Sequence, residues 1–184
     1  MSSLATIDFR RMTVRSAPVL KGNRLGGYAA VFDEMSPFTP FGPEELAPGS
    51  FTRALGNSDP RALFNHDPNF VLGRLSTGTL RLAQDSTGLE YEIDMPDTQL
   101  ARDVRELVSR GDIDGASFQF VPGKHEMRDG VLRHTDIAEL IDVSPVTFPA
   151  YAGATSEARS KTAGSARRSQ LIRARAHALR SVTR

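Results

Sequence analysis

A hydroxyl becomes a nucleophile when a neighbouring base takes its proton, and that base acts best when a third group orients it. Ser117 is the first candidate for such a hydroxyl. It lies in Gly115-Ala116-Ser117-Phe118-Gln119-Phe120, just after a segment that reads as a helix ending at Gly111. The stretch reads as a short strand. Side chains alternate along a strand, so Ala116, Phe118 and Phe120 share one face while Ser117, Gln119 and Val121 share the other. Most strand serines do no chemistry, and a small residue where two sheets approach is the plainer explanation. The assignment therefore depends on a base.

Four histidines are available. His177 falls near the C-terminal end, and His125 and His134 fall in charged segments around a turn, where solvated side chains are expected. His66 differs. The apolar run Arg61-Ala62-Leu63-Phe64 leads into Asn65-His66-Asp67-Pro68, a turn signal that puts His66 at a strand end. It is the natural general base, although a lone histidine at such a turn more often caps than catalyses.

For the orienting acid the chain offers Asp142 and Glu139, both on a strand before Pro145. They have opposite parity on a regular strand, so at most one faces the site unless a bulge intervenes. Asp67 adjoins His66, but neighbouring side chains diverge on an extended chain, and it ranks lower. No His-Glu-x-x-His pair occurs, and Gly26-Gly27 lacks the Lys-Ser/Thr of a phosphate loop. Neither a metal nor a cofactor is expected. With no cysteine in the chain, thiolate catalysis and disulfides are excluded.

The elements that must position these residues are mostly strands. Residues 7–15, 26–32, 71–75, 79–82 and 89–94 read as strands, with Asp85-Ser86-Thr87-Gly88 turning a hairpin between the last two. Four prolines between Ser36 and Ser50 predict a loop there, and residues 50–55 a short helix closed by Gly56 and Asn57. The clearest helix spans 98–110, with Leu100, Val104, Leu107 and Val108 at core spacing, Asp97 placed to cap it and Gly111 suited to its left-handed end. A turn at Arg128-Asp129-Gly130 and strands from Val131 and from Ile137 to Val143 complete the pattern, with Pro145 interrupting the last. The expected class is mainly β with a few helices, α+β.

The chain has 184 residues, enough for one domain and an appendage. Its net charge of +1 hides a split: from Glu157 onward there are eight basic residues and one acid, a surplus of +7, against −6 for the rest. The Ala-, Ser- and Arg-rich end, residues 153–184, has too few large apolar side chains for a core and is expected to be disordered, or helical only on a partner. No apolar run approaches the ~20 residues of a membrane span, and no secretory leader is evident.

Several stretches, in order, carry a family likeness: Gly27-Tyr28-Ala29-Ala30-Val31-Phe32-Asp33, Glu45-Leu46-Ala47-Pro48-Gly49-Ser50-Phe51, Asn65-His66-Asp67-Pro68, Leu72-Gly73-Arg74 and Asp85-Ser86-Thr87-Gly88-Leu89. Gly111-Asp112-Ile113-Asp114-Gly115-Ala116-Ser117-Phe118 and Val143-Ser144-Pro145-Val146-Thr147-Phe148-Pro149-Ala150 close the series. Over residues 5–152 the sequence resembles the prohead (capsid maturation) serine proteases of tailed bacteriophages. The resemblance implies a β-barrel like that of herpesvirus assembly proteases, with His66 as base and Ser117 as nucleophile. Two positions depart from the pattern. Gln119 stands where relatives often have Gly, and Asp142 stands where Glu is common, which shortens the reach of that acid.

The same resemblance implies that the domain, 1–152, is a serine endopeptidase; it leaves out the basic tail over 153–184, which is read from composition and charge alone. Asp142, with Glu139 as the alternative, orients the imidazole, and backbone amides near Ser117 would serve the oxyanion. Its place would be the procapsid interior in the bacterial host cytoplasm, in a phage or prophage context. The implied partners are the major capsid protein with its scaffold segment, and the protease itself as substrate. No membrane partner is expected, nucleic acid only through the basic tail, and an oligomer is compatible with the sequence. The rival expectation is a non-catalytic capsid-assembly component of the same fold.

Overall fold

A computed structural model describes residues 10–14, 17–39 and 42–148. The expectations for residues 153–184 lie outside them. Among the described residues, thirteen strands and two short helices follow one another: β1 (Arg10–Val14), β2 (Val19–Lys21), β3 (Arg24–Val31), β4 (Ser36–Thr39), β5 (Gly42–Leu46), α1 (Thr52–Asn57), β6 (Arg61–Phe64), β7 (Asp67–Arg74) and β8 (Leu80–Gln84). Then come β9 (Gly88–Asp94), α2 (Gln99–Ser109), β10 (Gly115–Pro122), β11 (His125–Arg128), β12 (Val131–His134) and β13 (Ile137–Val146).

The strands form three sheets, ordered β1-β10-β13-β6-β7, β11-β12-β5-β4 and β2-β3-β9-β8. The first ends at β1 on one side and β7 on the other, so it does not close on itself. The expected closed barrel is thus corrected to a mainly β arrangement of separate sheets among the described residues. In that first sheet β10 is central to the site, antiparallel to both β1 and β13, while β6 lies parallel to β13.

Behind β10 sits the core. Ala116, Phe118 and Phe120 are fully buried, as their shared face requires. Phe118 stacks on Phe120 with ring centroids 5.1 Å apart and meets Phe51 edge-on at 5.4 Å. Burying one such ring stabilises by about 2–3 kcal/mol, so the strand that carries Ser117 is anchored from its back face. Close approach of strands decides Gly26: a Cβ there would lie 2.8 Å from the Tyr91 carbonyl oxygen.

Some local expectations needed correction. Residues 36–39 and 42–46 form strands β4 and β5 despite Pro37 and Pro43: β4 is the edge of its sheet, β5 lies between β4 and β12, and both prolines fall outside the paired positions. Pro145 does not interrupt β13. It pairs with Ala116, and its carbonyl accepts from the Asn65 amide. Gly56 and Asn57 belong to α1 rather than closing it. Thr98, not Asp97, caps α2, its hydroxyl accepting from the Ala101 amide, and Asp97 instead pairs with Arg102. Gly111 does take the left-handed conformation, φ 76°.

His134 is also corrected. It is fully buried, Nε2 lies 3.0 Å from Glu44 Oε2, and Phe120 meets its ring edge-on at 5.2 Å. Glu44 Oε1 accepts from Arg10 of β1 at 2.7 Å. The charged residues beside it in sequence suggested solvent, but the carboxylate that permits burial comes from Glu44, on a distant strand.

The β6–β7 hairpin is clamped at its open end. Asp59 accepts from the Arg74 guanidinium at 2.7 Å and from the Ser76 amide at 2.9 Å. The Arg74 bond, followed by the Ser76 amide, lowers the Asp59 pKa to about 2. A carboxyl held below its unfolded value near 3.9 contributes stability above that pH and loses it as pH falls towards 2. Asp59→Asn is therefore expected to flatten the decline of unfolding free energy between pH 4 and 2. Denaturant titrations of both proteins across that interval check this, and an equally steep decline in the variant would contradict it.

Candidate active site

Strand pairing explains how three distant residues meet. On β10, Ser117 lies directly opposite Ser144 of β13 on one side and Thr13 of β1 on the other. Two residues before Ser144, Asp142 pairs with Gln119, and both lie on the Ser117 face. Parallel β6 starts beside Asp142 and runs alongside β13, so it ends near Pro145. The chain then reverses at Asn65-His66 and folds the imidazole back over that face.

This reversal has an uncommon backbone. Asn65 and His66 both have positive φ, 55° and 59°. Two consecutive left-handed residues between antiparallel strands match the two-residue hairpin whose twist suits its flanking strands. Asn tolerates the conformation, whereas a histidine there costs on the order of 1–2 kcal/mol. Compensation is visible in a two-way bond: Asn65 Nδ2 donates to Thr147 Oγ1 at 3.0 Å and the Thr147 amide donates to Asn65 Oδ1 at 2.8 Å.

The result is a continuous line of hydrogen bonds. His66 Nε2 lies 2.8 Å from Ser117 Oγ, and His66 Nδ1 lies 2.6 Å from Asp142 Oδ1. Ser117 is 2% and Asp142 1% exposed, so the line runs through a nearly water-free layer in which charge–charge terms are strong. An ionised carboxylate only accepts, so Nδ1 must carry a proton towards Asp142. In the neutral ring Nε2 is then bare and faces the hydroxyl.

Ser117 Oγ has a second acceptor. The Met12 carbonyl of β1 lies 2.8 Å away. One hydroxyl proton cannot serve both. It turns to Met12 when the ring carries both protons and Nε2–H donates to Oγ, and to His66 when Nε2 is bare. Edge strand β1 thus holds the hydroxyl in place for either state.

The other expected residues fall elsewhere. Glu139 is exposed and pairs with Val121, well along β13 from the His66 ring. Parity did not separate it from Asp142: the register shifts so that Leu140 faces Phe120 and Asp142 faces Gln119, leaving Ile141 as an extra residue. That bulge brings Glu139 and Asp142 to the same face, and distance along the strand decides between them. Asp67 turns to its own chain, accepting from the Asn69 amide at 2.8 Å. His125 is exposed, and His177 lies outside the described residues. Because β10 is hydrogen-bonded to neighbours on both sides, amides beside Ser117 are committed to strand pairing, which argues against them as oxyanion donors. Among the described residues no group of three or more His, Asp and Glu side chains is placed to hold a metal ion.

The sequence did not point to Ser144, Thr147 or the Met12 carbonyl. Ser144 had one available signal, its i, i+2 relation to Asp142, which puts both on one strand face.

The family model for caudovirus prohead serine proteases matches residues 11–168. The chain belongs to that family. Membership implies a role in phage capsid maturation and a serine peptidase activity. It also suggests the procapsid interior as the place of action and capsid proteins as partners. The match extends 16 residues past position 152, into the segment read as a tail. No curated protein and no solved structure matches the chain. Among the described residues no helix is long and apolar enough to cross a membrane.

Proposed function

We propose that this prohead protease family member is a serine endopeptidase with Ser117 as nucleophile, His66 as general base and Asp142 as the group that orients the imidazole. The observation that carries the proposal is the unbroken Ser117–His66–Asp142 line, 2.8 and 2.6 Å, built from two strands and a strained hairpin. Strain at a buried polar site without chemistry would be hard to account for. Ser117 Oγ attacks the scissile carbonyl while His66 Nε2 takes its proton; the imidazolium, held by Asp142, returns that proton to the leaving amine. Water then attacks the acyl-enzyme with the same base.

Its substrates are scaffold segments of the major capsid protein inside the procapsid, and then the protease itself. The basic C-terminal end, +7 against an acidic remainder of −6, docks it on an acidic capsid or scaffold surface. Self-cleavage falls in the small-residue stretch from Ala152 to Ala166, which can present itself as an extended strand. Co-expression with the capsid protein tests the proposal. A shortened capsid protein band is expected with the wild type and absent with Ser117→Ala. A capsid protein of full length in both would favour a non-catalytic assembly role.

A further inference from the structure

We propose that Ser144 is a positioning residue that fixes His66 and Asp142 relative to each other; this rests on the catalytic reading of Ser117 and His66. Ser144 Oγ lies 2.8 Å from Asp142 Oδ1, the same oxygen that faces His66 Nδ1. It also accepts from the His66 backbone amide at 3.3 Å. A hydroxyl has one proton to give and lone pairs to accept with, so these two bonds have consistent directions: Ser144 donates to the carboxylate and accepts from the amide. One side chain thereby ties the main chain of the base to the group that orients its ring.

The place of Ser144 supports more than a filling role. It is 1% exposed and stands directly opposite Ser117 across the β10–β13 pair. The residue it holds, His66, is one whose left-handed backbone needs external support. The hairpin is fastened to β13 and the residue after it at three points. His66 is held at Ser144, Asn65 N at the Pro145 carbonyl, and the Asn65 side chain at Thr147. Of these, the Ser144 contact alone reaches the reacting line. Without its hydroxyl, the Asp142 carboxylate loses a donor on the oxygen that receives Nδ1–H, and the His66 amide loses its acceptor. The ring then samples orientations in which Nε2 is not aimed at Ser117 Oγ.

The test uses the full chain as wild type, Ser144→Ala and Ser144→Thr. Three quantities are measured: the rate of Ser117 modification by a fluorophosphonate, the downfield proton resonance of His66 Nδ1–H, and the melting temperature. The resonance is assigned by its loss in His66→Ala. A lost charge-assisted hydrogen bond of this kind is expected to slow Ser144→Ala about tenfold. Its resonance should shift or broaden while the protein remains folded, and Ser144→Thr, which keeps the hydroxyl, should recover most of the rate. Modification of Ser144→Ala at the wild-type rate with an unmoved resonance would overturn the proposal. So would a slower rate explained wholly by unfolded protein. If the wild type is not modified at Ser117, the catalytic reading fails. The resonance in Ser144→Ala then still decides the positioning role.

Discussion

His66→Ala is expected to abolish cleavage and also to destabilise the fold, whereas Ser117→Ala abolishes cleavage alone. In triads that act as a unit, loss of either nucleophile or base removes roughly 10⁶-fold of the rate. The two variants differ in what they leave behind. Ser117→Ala removes a hydroxyl whose partners are a ring nitrogen and a carbonyl. His66→Ala strands Asp142, 1% exposed, with the Ser144 hydroxyl still donating to it. Leaving a buried carboxylate without the ring N–H it accepted from costs about 1–3 kcal/mol, and a domain of this size loses roughly 2–4 °C of melting temperature per kcal/mol. Alanine at φ 59° adds to the deficit. His66→Gly relieves that backbone strain and should melt higher than His66→Ala by an amount matching about 1 kcal/mol. Calorimetry of the three proteins beside a cleavage assay checks both halves; equal stability of His66→Ala and Ser117→Ala would mean that Asp142 is not an ionised partner of the ring.

Asp142→Asn is the second large effect. The amide can place either an oxygen or an NH₂ towards Nδ1, and the NH₂ requires a bare Nδ1, which moves the ring proton to Nε2. A protonated Nε2 cannot accept from Ser117. Cleavage is expected to fall by roughly 10⁴-fold with the fold intact, the behaviour of the equivalent change in other triads. Glu139→Gln should cleave at the wild-type rate, since that carboxylate is exposed and paired with Val121. Rates for the two variants on one peptide substrate distinguish them. A wild-type rate for Asp142→Asn would reduce the site to a dyad or point to another acid.

Those two carboxylates also show where the sequence stops being legible. Alternation along β10 was readable, and the buried Phe118 and Phe120 follow it. His66 at a strand end was readable because Asn-His-Asp-Pro can hardly be anything but a turn. The choice of acid was not, since parity holds only for a regular strand and the extra residue at Ile141 resets it. A bulge is set by packing across two strands far apart in sequence, and nothing local announces it. His134 misled for a similar reason: its burial depends on Glu44, ninety residues away, and on Phe120. Pro37 and Pro43 read as loop residues because sequence does not show which positions along a strand go unpaired. The family likeness supplied the roles of Ser117 and His66, but not the sheet arrangement, where a barrel was expected and three sheets are found.

That Ser117 is the nucleophile and His66 activates it can be tested without knowing the substrate. Fluorophosphonate treatment of the wild type, followed by intact mass and peptide mapping, should give one adduct, on the peptide containing Ser117. The same treatment of His66→Ala, at a temperature where it remains folded, should give essentially none. An adduct on another residue, or labelling of Ser117 that is unchanged in His66→Ala, would contradict the assignment.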